Sequence, residues 1–524
     1  MKKLTLNCLI VLSLLANCLS AQKNRTIEIS SSNTITTNSS LWHKEPYRPQ
    51  FHFSPEKKWM NDPNGMVYYK GVYHLFYQYY PEDIVWGPMH WGHATSSDLI
   101  HWKHQQIALY PDELGYIFSG SAVMDIENTS GLGTKENPAM IAVFTYHNME
   151  FEKAGKINTQ TQGLAYSLDE GKTWKKYEAN PIINNTTLKD FRDPKVFWNA
   201  ATKQWNLVLV AGDRAQFYTS SNLLQWKLES EFGQDKGAHG GVWECPDVFP
   251  LKINGTKEEK WVLLVSINPG GPNGGSATQY FVGDFDGKKF TTNQKETKWV
   301  DYGTDNYAGV TYNDAPNGER LFVGWMSNWN YARNTPTINW RSAMTLPRTL
   351  SLSKINGDYV LQSKPVAQIN TIKTTDYSTK KMVVSKENTS TFNYSNLNQS
   401  QIHFSAENKN LKIVFSNDAN DSLVLEYDAK NKLFSVDRRQ SGKVDFEKSF
   451  GEKIHSAPTE NLTTAIIDFQ IILDWSSIEI FLNEGVYSLT EQIFPNQPYN
   501  KLTIESNDKQ EIKNITIDSL KGVW

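Results

Sequence analysis

From about residue 47 to residue 350 the chain is a succession of short apolar or alternating runs. Examples are Met66–Tyr69, Tyr73–Tyr77, Met140–Thr145, Trp205–Ala211, Trp261–Ile267 and Leu321–Trp325. Gly, Asn, Asp and Pro separate them, and almost no 3.6-residue periodicity is present. This pattern predicts strands throughout, hence an all-β fold. A repeat lies within it. Ser96-Ser97-Asp98-Leu99-Ile100-His101-Trp102 resembles Ser220-Ser221-Asn222-Leu223-Leu224-Gln225-Trp226. Looser copies are Ser167–Trp174 and Gly283–Phe290. Each reads as a turn that delivers a large aromatic into a following strand. The spacing of roughly 50–70 residues suits one four-stranded sheet plus loops, and radial repetition of such sheets makes a β-propeller, here of about five blades.

Beyond residue 350 Trp thins out, with only Trp475 and Trp524 after Trp340, while Lys, Asn and Ser rise. Alternation continues in Leu411–Phe415, Leu423–Tyr427, Leu433–Val436, Ile466–Leu473 and Ile478–Leu482. The reading is a five-bladed β-propeller over 46–353, a connector over 354–367 and a C-terminal antiparallel β-sandwich over 368–524.

The N-terminal segment changes the picture first. Lys2 and Lys3 precede an apolar stretch, Leu4–Leu19, that ends at Ser20-Ala21. This reads as a signal peptide over 1–21 and implies export to the periplasm or exterior. Leu15-Ala16-Asn17-Cys18 roughly resembles a lipid-attachment box, but Asn17 is bulkier than the small residue usual before the modified Cys. Cys8 and Cys18 leave with the signal, so Cys245 alone remains of three Cys and no intramolecular disulfide is expected. Residues 22–45, rich in Ser, Thr and Asn, read as a flexible leader. A net charge of −3 gives no electrostatic drive toward nucleic acid or anionic lipid. Aromatics reach 12%, with 17 Trp, and suit both strands and stacking on sugars.

Three acids stand at or beside prolines in the predicted strands: Asp62 in Trp59-Met60-Asn61-Asp62-Pro63, Asp193 in Arg192-Asp193-Pro194, and Glu244 in Glu244-Cys245-Pro246. They read as equivalent positions on different blades. Inner strands border the central channel, so such positions converge. Converging carboxylates repel, and one keeps its proton. Acid-assisted glycoside cleavage needs this pairing of carboxylate and carboxylic acid. Asp98, Asp169 and Asp286 fall inside the repeated turns and are expected to cap them. Asp301 and Asp305 are candidates for a supporting role. His90 and His93, three apart in a strand, face opposite ways and make a poor metal pair. No phosphate loop, dinucleotide motif or nucleophilic Ser motif is present, and no metal or cofactor is expected. Cys245 reads most simply as a core residue.

These same residues resemble the β-fructosidases of glycoside hydrolase family 32. Trp59–Gly65, Arg192–Pro194 and Glu244–Pro246 are similar to the family's three acidic motifs, joined by Phe76-Tyr77-Gln78, Trp86–His93, Phe118–Ser121 and Gly324–Trp329. The resemblance implies a five-bladed propeller with a sandwich and no cofactor. It implies Asp62 as nucleophile at the anomeric C2, Glu244 as acid and then base, and Asp193 with Arg192 as holders of fructosyl hydroxyls. It implies Asn61, Gln78, Trp86, Phe118, Ser119 and Trp325, with Trp59 as a further candidate, as lining of the fructose subsite. Retention by a direct nucleophile predicts carboxyl groups about 5–5.5 Å apart.

Val85–His93 and Trp325–Arg348 look most like microbial levanases and exo-inulinases, favouring exo-release of fructose from levan or inulin as the substrate partner. Endo-cleavage, sucrose cleavage and fructosyl transfer on the same site stay open. Two other readings compete: an inverting arabinan-cleaving glycosidase, with carboxyls about 6.5–9.5 Å apart, and a non-catalytic fructan-binding protein. Oligomeric state and the role of the sandwich are not legible.

Overall fold

The protein is described here from a computed structural model, which describes residues 24–30, 41–185 and 187–524. The segment 1–21 with Cys18, read as an export signal, lies outside the described residues. Among the described residues the strands form seven sheets. Five, each of four or five strands, occupy the first two-thirds of the chain and are built from strands consecutive in sequence, except that Trp340–Arg341 returns to pair parallel with Lys58-Trp59 in the first. Their first strands are Lys58–Tyr69, Tyr116–Asp125, Phe191–Asn199, Val242–Lys252 and Tyr307–Thr311. Each packs against the first strand of the next sheet, and the fifth returns to the first, so the sheets close into a ring. Ring closure hides the inner edges that an open stack of sheets would expose.

The repeated turns lie between the third and fourth strands of their sheets. Trp102 Nε1 donates to the Leu99 carbonyl at 3.1 Å, Trp174 to Gly171 at 3.1 Å and Trp226 to Leu223 at 2.9 Å. Asp98 Oδ1 accepts from the backbone N–H groups of Ile100 and His101, and Asp286 Oδ1 from those of Lys288 and Lys289. Leu99, Gly171, Leu223 and Gly287 all turn through the left-handed region, with φ of 69°, 82°, 63° and 91°.

The last third, joined by one N-terminal strand, forms two stacked sheets, of seven and six strands, over one apolar core. Two boundaries differ from the sequence reading. The stretch 354–367 is no connector. Arg348–Ile355 and Asp358–Pro365 form a hairpin that completes the fifth sheet of the ring. Its loop is Asn356-Gly357, both at positive φ (52° and 88°), the two-residue turn whose twist suits a hairpin. Nor is 22–45 uniformly a flexible leader. Arg25–Glu28 pairs parallel with Ser390–Asn393 at the edge of the seven-stranded sheet, because Ile27 and Ile29 can pack against the sandwich core. Leu41–Lys44 is a short 3-10 helix.

Ring and sandwich meet across a buried ionic seam. Arg348 bridges Asp301 (2.8 Å) and Glu479 (2.6 Å), while Arg438 bridges Asp305 (2.7 Å) and Glu491 (2.9 Å). His52 sits between Asp474 and Glu479, at 2.8 Å from each. Asp301 and Asp305 therefore hold the two domains together rather than support a catalytic site.

Candidate active site

Each of the five inner strands skips two residues in its pairing register near its start, and the first strand slips again at Gly65-Met66. The skipped pairs are Asn61-Asp62, Phe118-Ser119, Asp193-Pro194, Cys245-Pro246 and Ala308-Gly309, preceded by the paired residues Met60, Ile117, Arg192, Glu244 and Tyr307. A bulge re-aims side chains out of the regular alternation, so five bulges at one level of a ring turn five sets of side chains to a common centre. Asp193, Cys245 and Ala308, the first skipped residues of three of them, have φ of 62°, 46° and 54°. Such left-handed backbone costs a non-glycine residue about 1 kcal/mol or more and collects at functional sites.

This alignment corrects one expectation. The three acids are not at equivalent positions: Glu244 is the paired residue just before its bulge, with Arg192 and Tyr307; Asp193 is the first skipped residue, with Asn61, Phe118, Cys245 and Ala308; Asp62 is the second, with Ser119. Three successive places on three strands thus supply the three carboxyls.

Asn61, Asp62, Gln78, Trp86, Phe118, Ser119, Arg192, Asp193 and Glu244 all line one pocket of about 680 Å³. Trp325 does not. It is fully buried in the strand Arg320–Met326, packed between Tyr307 and Trp329, and its neighbour Trp329 faces the pocket instead. Trp59 is likewise fully buried. Its Nε1 donates to Asn61 Oδ1 at 2.7 Å, and so it orients Asn61 from behind.

The carboxylate of Asp62 is fixed through both oxygens. Oδ1 accepts from Asn61 Nδ2 at 3.0 Å, and Oδ2 from Ser119 Oγ at 2.8 Å, with the Cys245 thiol 3.5 Å from Oδ2. Asp193 Oδ2 accepts the backbone N–H of Cys245 at 2.9 Å, and the backbone N–H of Asp193 donates to Thr145 Oγ1 at 2.9 Å. Arg192 extends one guanidinium nitrogen to within 3.3 Å of Glu244 Oε1 and another to Asp190 at 2.7 Å. The phenol of Tyr307 donates to Glu244 Oε2.

Burial and neighbouring charge set the proton affinities. Glu244 is pushed above the usual carboxylate range, by burial first and by Asp62 as well, against the opposing pull of Arg192 and the Tyr307 hydrogen bond. Asp193 is pushed up to about 7 by burial, with Glu244 and Asp62 adding to it and Arg192 and the Cys245 N–H opposing. Burial also raises the Cys245 thiol, which stays a neutral donor toward the carboxylates. Burial works against the charge of Arg192, but Glu244, Asp193 and Asp190 outweigh it and raise its pKa. Burial in a pocket with three carboxyls and one adjacent guanidinium thus moves Glu244 and Asp193 toward their protonated forms, the direction a general acid requires.

Several residues in the pocket or buried directly behind it escaped the sequence reading. Tyr307 sits in a segment with no acid or proline, although its small-then-glycine sequel, Ala308-Gly309, mirrors Ser119-Gly120. Cys245 read as core because a lone small thiol in a strand is most simply buried, and buried it is, but against the carboxylates of Asp62 and Asp193. His147, whose ring stacks on Phe118 at 4.4 Å, as well as Glu152 and Arg333, reaches the pocket from sequence that carries no motif.

Residues 52–365 match the model of the glycosyl hydrolases family 32 N-terminal domain, and residues 366–519 that of the family 32 C-terminal domain. A levanase of Bacillus subtilis is 44% identical over 498 residues, spanning 93% of this chain and 72% of its own. An extracellular exo-inulinase of Aspergillus niger is 39% identical over 518 residues, spanning 92% and 96%. The crystal structure of an exo-inulinase from Aspergillus awamori superposes with a TM-score of 0.84 at 35% identity, covering 92% of this chain and 100% of its own.

Proposed function

The chain belongs to glycosyl hydrolase family 32, and from that premise we propose that it is an exo-acting fructan β-fructosidase that removes terminal fructose from levan or inulin by double displacement. It is a glycoside hydrolase. The observation that carries the site assignment is the single pocket that holds a doubly anchored carboxylate, Asp62, with a carboxyl of raised proton affinity, Glu244.

In the first step an Asp62 oxygen bonds to the fructosyl C2 as the bond from C2 to the leaving oxygen breaks, and the Glu244 proton passes to that oxygen. In the second, water attacks C2, its proton goes to Glu244, and the C2–Asp62 bond breaks to give fructose. Charge at C2 is oxocarbenium-like in both transition states, so a fixed carboxylate stabilises it. Arg192 and Asp193 hold fructosyl hydroxyls. Gln78, whose buried Nε2 has no protein partner, is a donor available to another hydroxyl. The aromatic faces of Trp86 and Phe118 pack on the apolar side of the ring. Export through residues 1–21 accords with the extracellular relative.

Product analysis on levan, inulin and sucrose tests the reading. Free fructose from the earliest time points is expected. A ladder of oligosaccharides contradicts exo action, and no turnover of any of the three contradicts the substrate class.

A further inference from the structure

The inner strands run from the catalytic pocket to the far end of the ring, where they enclose a second cavity of about 410 Å³. Arg192, Asp193 and Glu244 stand near the start of two of these strands, while Lys195, Phe197, Trp198 and Asp247 follow further along the same strands and line the second cavity. A buried ion pair forms part of its floor. Lys195 Nζ lies 3.1 Å from Asp247 Oδ2, which also accepts the backbone N–H and the hydroxyl of Thr311, both at 2.7 Å. Asp247 is 0% exposed, yet its other oxygen, Oδ1, has no hydrogen-bond partner in the protein. Nε of Arg320, a second lining residue, has none either. Buried polar atoms are rarely left unpaired without a reason.

Five aromatic side chains, Phe197, Trp198, Trp205, Phe249 and Trp261, also line the cavity. Trp198 is 42% exposed, although a tryptophan of a monomeric core is normally covered, and it stands edge-on to Trp205 at 5.1 Å. Phe197 and Trp261, also in the lining, pack against each other with ring centroids 5.9 Å apart. The acids Asp247, Glu259 and Asp314 face the bases Lys195 and Arg320, so the lining carries a small formal excess of one negative charge. An aromatic face, an unfilled carboxylate acceptor, an unfilled guanidinium donor and a small net charge are complementary to a neutral ring rich in hydroxyls. We propose that this cavity is a second carbohydrate-binding site that takes one sugar unit of a polysaccharide chain. Trp198 is its stacking face, and Asp247 Oδ1 accepts a sugar hydroxyl. Its volume falls in the usual range for small-ligand sites. It opens away from the catalytic pocket, so it holds a polymer without competing for the terminal residue being cleaved, and raises the local concentration of chain ends. The proposal does not depend on the catalytic roles assigned above.

Affinity electrophoresis tests it, in native gels cast with levan, inulin or dextran. An Asp62→Ala protein is used so that the gel is not consumed, and is compared with Asp62→Ala carrying Trp198→Ala or Trp198→Phe. Retardation is expected in at least one gel, weakened about three- to tenfold in apparent dissociation constant by Trp198→Ala and retained by Trp198→Phe. Retardation in levan or inulin identifies the degraded polymer as ligand. Retardation in dextran alone identifies a different neutral glycan. With Asp62 intact, Trp198→Ala leaves sucrose turnover within about twofold of the parent. Equal mobility of parent and Trp198→Ala in all three gels, or loss of sucrose turnover with Trp198→Ala, overturns the proposal.

Discussion

The phenol of Tyr307 donates a hydrogen bond to Oε2 of Glu244, and the two residues hold the same place in the bulges of neighbouring inner strands. The bond favours the ionised form of Glu244, against burial. Tyr307→Phe therefore raises the Glu244 pKa further. Since the acid must be protonated to assist departure of the leaving group, the alkaline limb of kcat/KM moves to higher pH, by roughly 1–2 units for a hydrogen bond to a charged group. A pH–rate profile on sucrose checks this, and an unmoved or acid-shifted limb contradicts it.

Arg192 acts on the same carboxyl by charge and on the substrate by geometry, and the two separate by substitution. Arg192→Lys keeps the positive charge near Glu244 but loses the forked donors. The alkaline limb is expected to stay within about 0.5 unit of the parent while kcat/KM falls about 10- to 100-fold, the loss of one charge-assisted hydrogen bond. A limb shift as large as that of Tyr307→Phe contradicts the division of roles.

Trp86 and Trp325 offer a second contrast. Trp86 lines the pocket, whereas Trp325 is buried behind it. Trp325→Ala is expected to cost about 3–5 kcal/mol in chemical denaturation, as a large cavity does. Trp86→Ala, at a half-buried site, raises KM with a stability change within about 1 kcal/mol. Equal destabilisation by both contradicts the placement.

How far these placements were legible depends on the kind of signal each residue leaves. Asp62, Asp193 and Glu244 announced themselves because an acid beside a proline in an apolar strand is unusual, and the strand–turn–tryptophan repeat disclosed the ring. The stagger of the three acids was hidden, because the shared Asp-Pro string matched Asp62 to Asp193: by pairing register Glu244 holds the place of Arg192, Cys245 that of Asp193, and Asp62 stands one place beyond. Trp325 misled for another reason. Strand alternation says that a tryptophan faces one side of its sheet but not whether that side is pocket or core. The hairpin at Asn356-Gly357 carried a readable turn signal, overshadowed by the compositional shift nearby. The strand Arg25–Glu28 is too short to declare itself, and depends on a partner more than 360 residues away.

The seam between ring and sandwich makes stability depend on pH. Burial alone would strip the proton from His52, but hydrogen bonds to Asp474 and Glu479 outweigh it and raise its pKa to about 9; Arg348 shares Glu479 on its other side. A raised folded-state pKa stabilises fully below the unfolded value, near 6.5, and the benefit is lost as pH climbs toward 9. The loss amounts to about 3 kcal/mol. Thermal unfolding at pH 6 and pH 9 should show this decrement in the parent and a smaller one in His52→Gln. Equal decrements contradict a charged His52.

The most direct test of the two-step mechanism is the anomeric configuration of the product formed when methanol replaces water as acceptor. Sucrose or an inulin oligosaccharide is turned over in aqueous methanol, and the first-formed methyl fructofuranoside is read by NMR before it can equilibrate. Attack by Asp62 followed by attack from the opposite face predicts the β-anomer. The α-anomer would mean a single displacement by solvent activated at a distance, and would remove Asp62 from the role of nucleophile.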